Sequence, residues 1–131
     1  MGQDLNFNLD CEIKILRSRF IAHAEPCFSD EQAREIIKQV KLNHKNATHN
    51  CWGYVINYNN YKSEFSSDNG EPPGTAGRPI LGAIKKRGLE NIIVIVTRYF
   101  GGKKLGVRGL IEAYGLAADG AIANLNKNGG V

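Results

Sequence analysis

The sequence predicts an α+β fold, a two-layer sandwich in which a mixed four-stranded sheet carries its helices on one face. Three observations predict it. Segments with the 3.6-residue spacing of amphipathic helices alternate with extended, β-branched segments. Gly, Pro and Asn clusters separate them at short intervals, so the connections are brief. A continuous apolar run, I-I-V-I-V at 92–96, has the length and character of a central strand buried on both faces.

Cys11–Ala22 reads as one strand, because Ile13, Ile15, Phe20 and Ile21 are β-branched or aromatic and no breaker intervenes before Pro26. Ser29 is placed as an N-cap. Gln32, three residues on, completes a capping box, and Asp30 and Glu31 suit the positive end of a helix. Ala33, Ile36, Ile37 and Val40 then give residues 30–43 a single apolar face.

His49–Tyr58 turns β-rich, and Asn59-Asn60 suits a two-residue hairpin turn because Asn tolerates positive φ. Tyr61–Ser66 is the returning strand. The stretch D-N-G-E-P-P-G-T-A-G at 68–77 breaks both helix and sheet. Pro79 suits the first turn of a short helix that turns Ile80, Leu81 and Ile84 inward and stops at Gly88. Asn91–Tyr99 holds the apolar run, Gly101–Gly106 is a basic loop, and a last helix runs from Val107 to about Leu125. That helix buries Leu110, Ala113, Tyr114, Ala117 and Ala121, and Asn128-Gly129-Gly130 is expected as a frayed end.

With no repeat or linker, residues 1–131 are expected to form one domain with its core at about 12–124. A composition of 42% hydrophobic and 23% charged residues fills a core and excludes a disordered tail. No uncharged apolar run is long enough for a membrane span, so no membrane partner is expected. Cys11, Cys27 and Cys51 are odd in number and include no C-x-x-C pair, and the opening residues lack a secretory signal. A cytoplasmic location follows as the expectation.

The net charge of +4 matters less than its placement. Residues 1–70 carry 8 basic and 9 acidic side chains, whereas residues 71–131 carry 9 and 4. Arg78, Lys85, Lys86, Arg87, Arg98, Lys103, Lys104 and Arg108 fall within residues 78–108, which hold one acid, Glu90. A local positive field of this kind attracts phosphate-rich partners.

Three groups of residues could carry chemistry. The first is R-Y-F-G-G-K-K-L-G-V-R-G at 98–109, between a buried strand and a helix start. Glycines that admit a ligand to free helix N–H groups favour an anion, with Arg98, Lys103, Lys104 and Arg108 adding charge around Gly101, Gly102 and Gly106. It is not a Walker A loop, because Val107-Arg108 stands where Lys-Ser/Thr is needed. The competing reading is a tight strand-to-helix connection with solvated lysines.

The second is the 68–79 loop. Gly74, Thr75 and Gly77, followed by Arg78, offer a second set of backbone donors at a helix start, while Asp68 and Glu71 are candidate acid/base groups. Alternatively Thr75 caps the helix and the acids are solvated. The third is His49-x-Cys51, whose side chains share one face of a strand and could serve as base and nucleophile. Two ligands do not make a metal site, so neither metal nor cofactor is expected. The plainer alternative is a buried thiol packing beside a hydrogen-bonded imidazole. Trp52, Tyr54, Tyr58, Tyr61 and Phe65 could stack on bases if exposed, although strand aromatics are ordinarily core.

Together D-N-G-E-P-P-G-T-A-G-R-P-I at 68–80 and V-T-R-Y-F-G-G-K-K-L-G-V-R-G-L at 96–110 resemble the signatures of the IMPACT/YigZ family. A-T-H-N-C-W at 47–52 and S-R-F-I-A at 18–22 resemble two further blocks of it. The resemblance implies the fold called ribosomal protein S5 domain 2-like, which recurs in nucleic-acid-binding domains of the translation apparatus. Eukaryotic members restrain a starvation-responsive kinase that phosphorylates an initiation factor, by competing for its activator protein.

The chain is most similar in its motifs to the bacterial form. Within these residues neither the RWD domain of the eukaryotic regulators nor the second, ferredoxin-like domain of bacterial relatives is expected. The family pattern falls on His49, Cys51, Asp68, Gly70, Glu71, Pro72, Gly74, Thr75, Gly77, Arg98, Gly101, Gly102, Gly106 and Gly109, and it implies no established catalytic role. The leading expectation is a non-enzymatic, translation-linked module that binds RNA or a ribosomal surface. The alternatives are a small enzyme acting on a phosphate-containing substrate through His49, Asp68 and Glu71, and a protein-interaction domain in stress-responsive translation control.

Overall fold

The computed structural model describes residues 10–127. In chain order the elements are β1 (Cys11–Ile15), β2 (Ser18–Pro26), α1 (Asp30–Asn43), β3 (His49–Tyr58), β4 (Tyr61–Ser67), α2 (Gly77–Lys85), β5 (Ile92–Tyr99) and α3 (Gly106–Lys127). The strands lie in the order β1-β2-β5-β3-β4, and every neighbouring pair is antiparallel. The α+β class stands, but the sheet has five strands rather than four and is antiparallel rather than mixed. The expected frayed end at Asn128-Gly129-Gly130 lies outside the described residues.

The fifth strand comes from the first segment. Cys11–Ala22 is not continuous: it reverses at Leu16-Arg17, whose φ angles are 46° and 71°, and Ile15 pairs with Ser18. Neither residue favours that conformation. The turn instead fits a tertiary contact, since a Cβ at Gly101 would collide with the Arg17 carbonyl.

Helices cover both faces of the sheet, not one. In β5, Ile92, Val94 and Val96 join the core beneath α2 and α3, while Ile93 and Ile95 join Ala33, Ile36 and Ile37 of α1 on the opposite face. Because side chains alternate along a strand, a run apolar at every position needs a cover on each side. Burying one such isoleucine contributes roughly 2 kcal/mol, so leaving either face open would be costly.

Local signals placed the remaining elements well. Ser29 Oγ accepts from the Gln32 N–H at 3.0 Å, and Gln32 Oε1 accepts from the Phe28 N–H at 2.7 Å, one residue earlier than a strict capping box. Asn59 and Asn60 take φ of 52° and 65°, the two left-handed positions of a type I′ turn. Among the described residues no helix is long and apolar enough to cross a membrane.

Candidate functional site

The 68–77 loop is organised by its own acid. Asp68 Oδ1 accepts from the N–H groups of Ala76 and Gly77 at 3.1 and 2.8 Å, and Oδ2 accepts from Gly74 at 2.9 Å. Ala76, the N-cap of α2, has no side chain able to bond there, so Asp68 caps the helix from eight residues upstream. Burial works to raise its pKa, yet the donors from Gly74, Gly77 and Ala76 hold it below the ordinary carboxylate value. Thr75 is buried, with its hydroxyl donating to the Pro72 carbonyl at 2.6 Å. The backbone donors expected to cradle a phosphate therefore already hold an internal anion.

His49 and Cys51 do share one face of β3, but they serve different surroundings. His49 Nδ1 lies 2.9 Å from the Asn69 carbonyl oxygen, an acceptor, which fixes the proton on Nδ1 and leaves Nε2 pointing onward. Gly70 has φ of 91° and lies so close that a Cβ would sit 3.1 Å from that imidazole nitrogen. Cys51 is fully buried; its thiol donates to the Asp68 carbonyl at 3.0 Å, and burial pushes its pKa up to about 12. A thiol in that state is a packing group rather than a nucleophile.

Beyond His49 lies a buried polar cluster. Glu71 Oε2 accepts from Arg98 Nη1 at 2.8 Å and from the Tyr114 hydroxyl at 2.5 Å, and Glu71 Oε1 lies 3.6 Å from His49 Nε2. Arg98 Nε donates to Ser18 Oγ at 3.2 Å, and its guanidinium sits between the rings of Phe20 and Phe100, 5.5 and 5.2 Å from their centroids. Tyr114 meets Phe20 edge-on at 5.2 Å. Burial foremost, and then the neighbouring Cys51 and Glu71, raises the Tyr114 pKa and keeps its hydroxyl a donor. Four elements and a loop thus converge on one carboxylate.

The two signature loops adjoin here. A cleft of about 400 Å³ opens over the cluster, lined by Thr48, His49, Glu71 and Pro72 together with Arg98, Phe100, Lys104, Leu105, Gly106, Val107 and Leu110. Its mouth includes Gly106 and Val107, the first residues of α3, where helix N–H groups lack intrahelical partners. Of the expected site residues, His49, Glu71, Arg98, Lys104 and Gly106 meet in this cleft.

The others do not line it. Gly74 and Gly77 are bound to Asp68, Thr75 is buried against the Pro72 carbonyl, and Cys51 is buried behind the loop. Gly101 packs on the β1–β2 turn, whereas Gly102 is needed for its φ of 88°. Arg78, Lys103 and Arg108 are exposed outside the lining.

Sequence reasoning missed Ser18, Phe20 and Tyr114 as members of the cluster, because each reads as an ordinary strand or helix residue. It also missed a second cleft, of about 250 Å³, between α1 and β2–β5. There His23 is held on both nitrogens, 2.7 Å from Asp10 and 2.6 Å from Glu25. The i, i+2 pair His23 and Glu25 was a usable signal, but Asp10 reaches them only through the β1–β2 hairpin. Among the described residues no group of His, Cys, Asp or Glu is arranged to hold a metal ion.

An antiparallel α+β domain with a buried Arg-Glu-Tyr cluster beneath a glycine-loop cleft defines the class. The Impact N-terminal domain matches residues 16–122, and the chain belongs to the IMPACT family. It is 51% identical over 104 residues to the IMPACT family member YvyE of Bacillus subtilis (strain 168), a match covering 79% of this chain and 48% of that protein. A solved structure described as that of a hypothetical protein superposes with a TM-score of 0.82 at 34% identity, covering 87% of this chain and 56% of the other. The two-domain translational regulator Yih1 shares the fold, with a TM-score of 0.53 at 21% identity over 88% of this chain and 45% of the other. The chain spans about half the length of the curated bacterial relatives it matches.

Proposed function

We propose that this domain is a non-enzymatic, translation-linked binding module of the cytoplasm that takes a phosphate-bearing segment of RNA or of a ribosomal surface in the cleft over Glu71 and Arg98. The observation that carries this reading is the meeting of both signature loops in one cleft. Phe100, 45% exposed, offers a ring to a base, while Lys104 and the start of α3 offer charge and N–H donors to a phosphate. Arg98 is already paired with Glu71, so the cations counted toward a ligand are Lys103, Lys104 and Arg108. Three phosphate contacts on a single strand give a slope of log K against log salt near −2. Filter binding of single-stranded RNA at 50 mM salt tests this (Debye length about 14 Å). Binding that weakens about tenfold in Lys103→Ala/Lys104→Ala supports the reading, and no retention above buffer controls overturns it.

A second reading rests on His49. With its Nδ1 proton fixed on Asn69, its Nε2 faces the cleft and the Glu71 carboxylate, as a general base would. Asp68 leaves this scheme, since Oδ1 serves the α2 cap and Oδ2 the Gly74 N–H. Hydrolysis of a phosphomonoester panel that is abolished in His49→Ala would favour the enzyme. A pulldown that survives nuclease treatment would favour a protein partner in stress-responsive translation control.

A further inference from the structure

The opposite side of the sheet carries a surface unrelated to the cleft. Helix α1 sorts its charges by flank. Glu35, Gln39 and Asn43 line the cleft around His23. Arg34, Lys38 and Lys41, spaced i, i+4 and i+7, line a separate shallow depression, and none forms an ion pair with another described residue.

That basic flank borders the part of β3–β4 that α1 leaves bare. Tyr61 and Phe65 are 50% and 60% exposed. Trp52 is half-buried and has Lys41 Nζ 5.2 Å from its ring centroid. The register puts these rings on one face, because Trp52 pairs with Ser67, and Tyr54 pairs with Phe65 two residues away. Phe65 is thus one step, about 7 Å along the strand, from the level of Trp52, and Tyr61 lies two steps beyond Phe65 with Ser63 between them.

Edge strands ordinarily avoid exposed rings, since such an edge invites unwanted pairing. Exposed rings on one face beside cations that make no ion pair with described residues match one ligand chemistry closely. Bases stack on aromatic faces whatever their identity, and the connecting phosphates seek positive charge. Two acids lie at this end of α1: Asp30, whose carboxylate is taken up by the hydroxyls of Tyr54, Tyr61 and Ser63, and Glu31, exposed one turn before Arg34. They lower the local charge without cancelling Arg34, Lys38 and Lys41. The Lys41 ammonium over Trp52 belongs to an exposed, flexible side chain that can move to a phosphate and uncover the ring.

We infer that the α1–β3–β4 face is a stacking platform for single-stranded RNA, with Trp52, Tyr61 and Phe65 receiving bases and Arg34, Lys38 and Lys41 receiving phosphates. The platform shares only a ligand class with the cleft and stands or falls separately. Trp52 is the sole tryptophan of the chain, so its fluorescence reports this face alone.

The test is titration of the full chain with a ten-nucleotide oligouridylate at 50 mM salt, following Trp52 emission. Quenching is expected, with a log–log salt slope near −2 for three phosphate contacts. Phe65→Ala should weaken binding roughly five- to hundredfold, the usual loss for one stacked base. Circular dichroism confirms that this surface variant is folded. Lys103→Ala/Lys104→Ala, at the cleft, should leave the Trp52 isotherm unchanged, which separates failure of one surface from failure of the other. Unchanged Trp52 emission at saturating oligonucleotide overturns the inference, as does wild-type affinity in Phe65→Ala. Heparin that competes as well as RNA, with no base-dependent quenching, also overturns it and leaves a charge surface suited to an acidic protein.

Discussion

Arg98 Nη1 lies 2.8 Å from Glu71 Oε2, and the two side chains are only 6% and 3% exposed. The pair joins the central strand to the 68–77 loop and forms the floor of the cleft. A buried ion pair adds little net stability over an apolar pair, but removing one partner strands the other charge. Glu71→Ala should therefore destabilise the fold by about 3–5 kcal/mol, measured as a lower urea midpoint. Glu71→Gln, which keeps an acceptor for Arg98 and Tyr114, should lose less.

Asp68 makes a similar prediction for acid. Its pKa is lowered by folding, so its contribution is present above its unfolded value and fades as pH falls through the folded one. Asp68→Ala strands the N–H groups of Ala76 and Gly77 at the start of α2 and of Gly74 in the loop, and should cost on the order of 1–3 kcal/mol near pH 7. The variant should also show, by thermal melts, a smaller loss of stability as the pH falls through and below the ordinary carboxylate range.

His23 has the opposite sign. Burial alone would lower its pKa, but hydrogen bonds from the imidazolium to Asp10 and Glu25 overcome this and raise it to about 9. A raised folded value means stability that is complete below the ordinary value of 6.5 and is lost as pH climbs toward 9. His23→Gln should flatten the stability profile across that window. NMR titration of the His23 ring should place its midpoint above pH 8 in the wild type; a midpoint near 6.5 would contradict the clamp.

Gly101 and Gly102 are adjacent yet indispensable for different reasons. A Cβ at Gly101 would collide with the Arg17 backbone, whereas at Gly102 nothing lies within 4 Å and only the φ of 88° objects. Gly102→Ala should cost about 1–2 kcal/mol of left-handed strain. Gly101→Ala should cost more, because the β1–β2 turn must move. Equal melting temperatures for the two variants would refute this difference.

Much of this fold was legible residue by residue. Ser29, the Asn59-Asn60 turn and the I-I-V-I-V run each carry their own backbone preference or burial pattern within a few positions. The Leu16-Arg17 reversal carries none, and so one strand was expected where two exist. The glycine-rich 68–77 loop reads from its sequence as a cluster of N–H donors, and the structure shows those of Gly74, Ala76 and Gly77 bound within the loop. That the anion they hold is Asp68, from the same loop, depends on a carboxylate folding back over six to nine residues. Likewise Tyr114 read as core, which it is, but its hydroxyl finds Glu71 only once α3 lies on the sheet.

Local chemistry thus settled where most strands and helices after Pro26 begin and end, which segment is central, and which loops carry the family's signature. Those properties depend on φ preferences, caps and periodicity that act within one or two turns of chain. Packing settled the rest: the fifth strand, the helix on the second face, the meeting of both signature loops over Glu71 and Arg98, and the aromatic edge beside the cations of α1. Each of these joins residues tens of positions apart, and such pairs become neighbours only when the buried faces of β5 recruit covers from both sides.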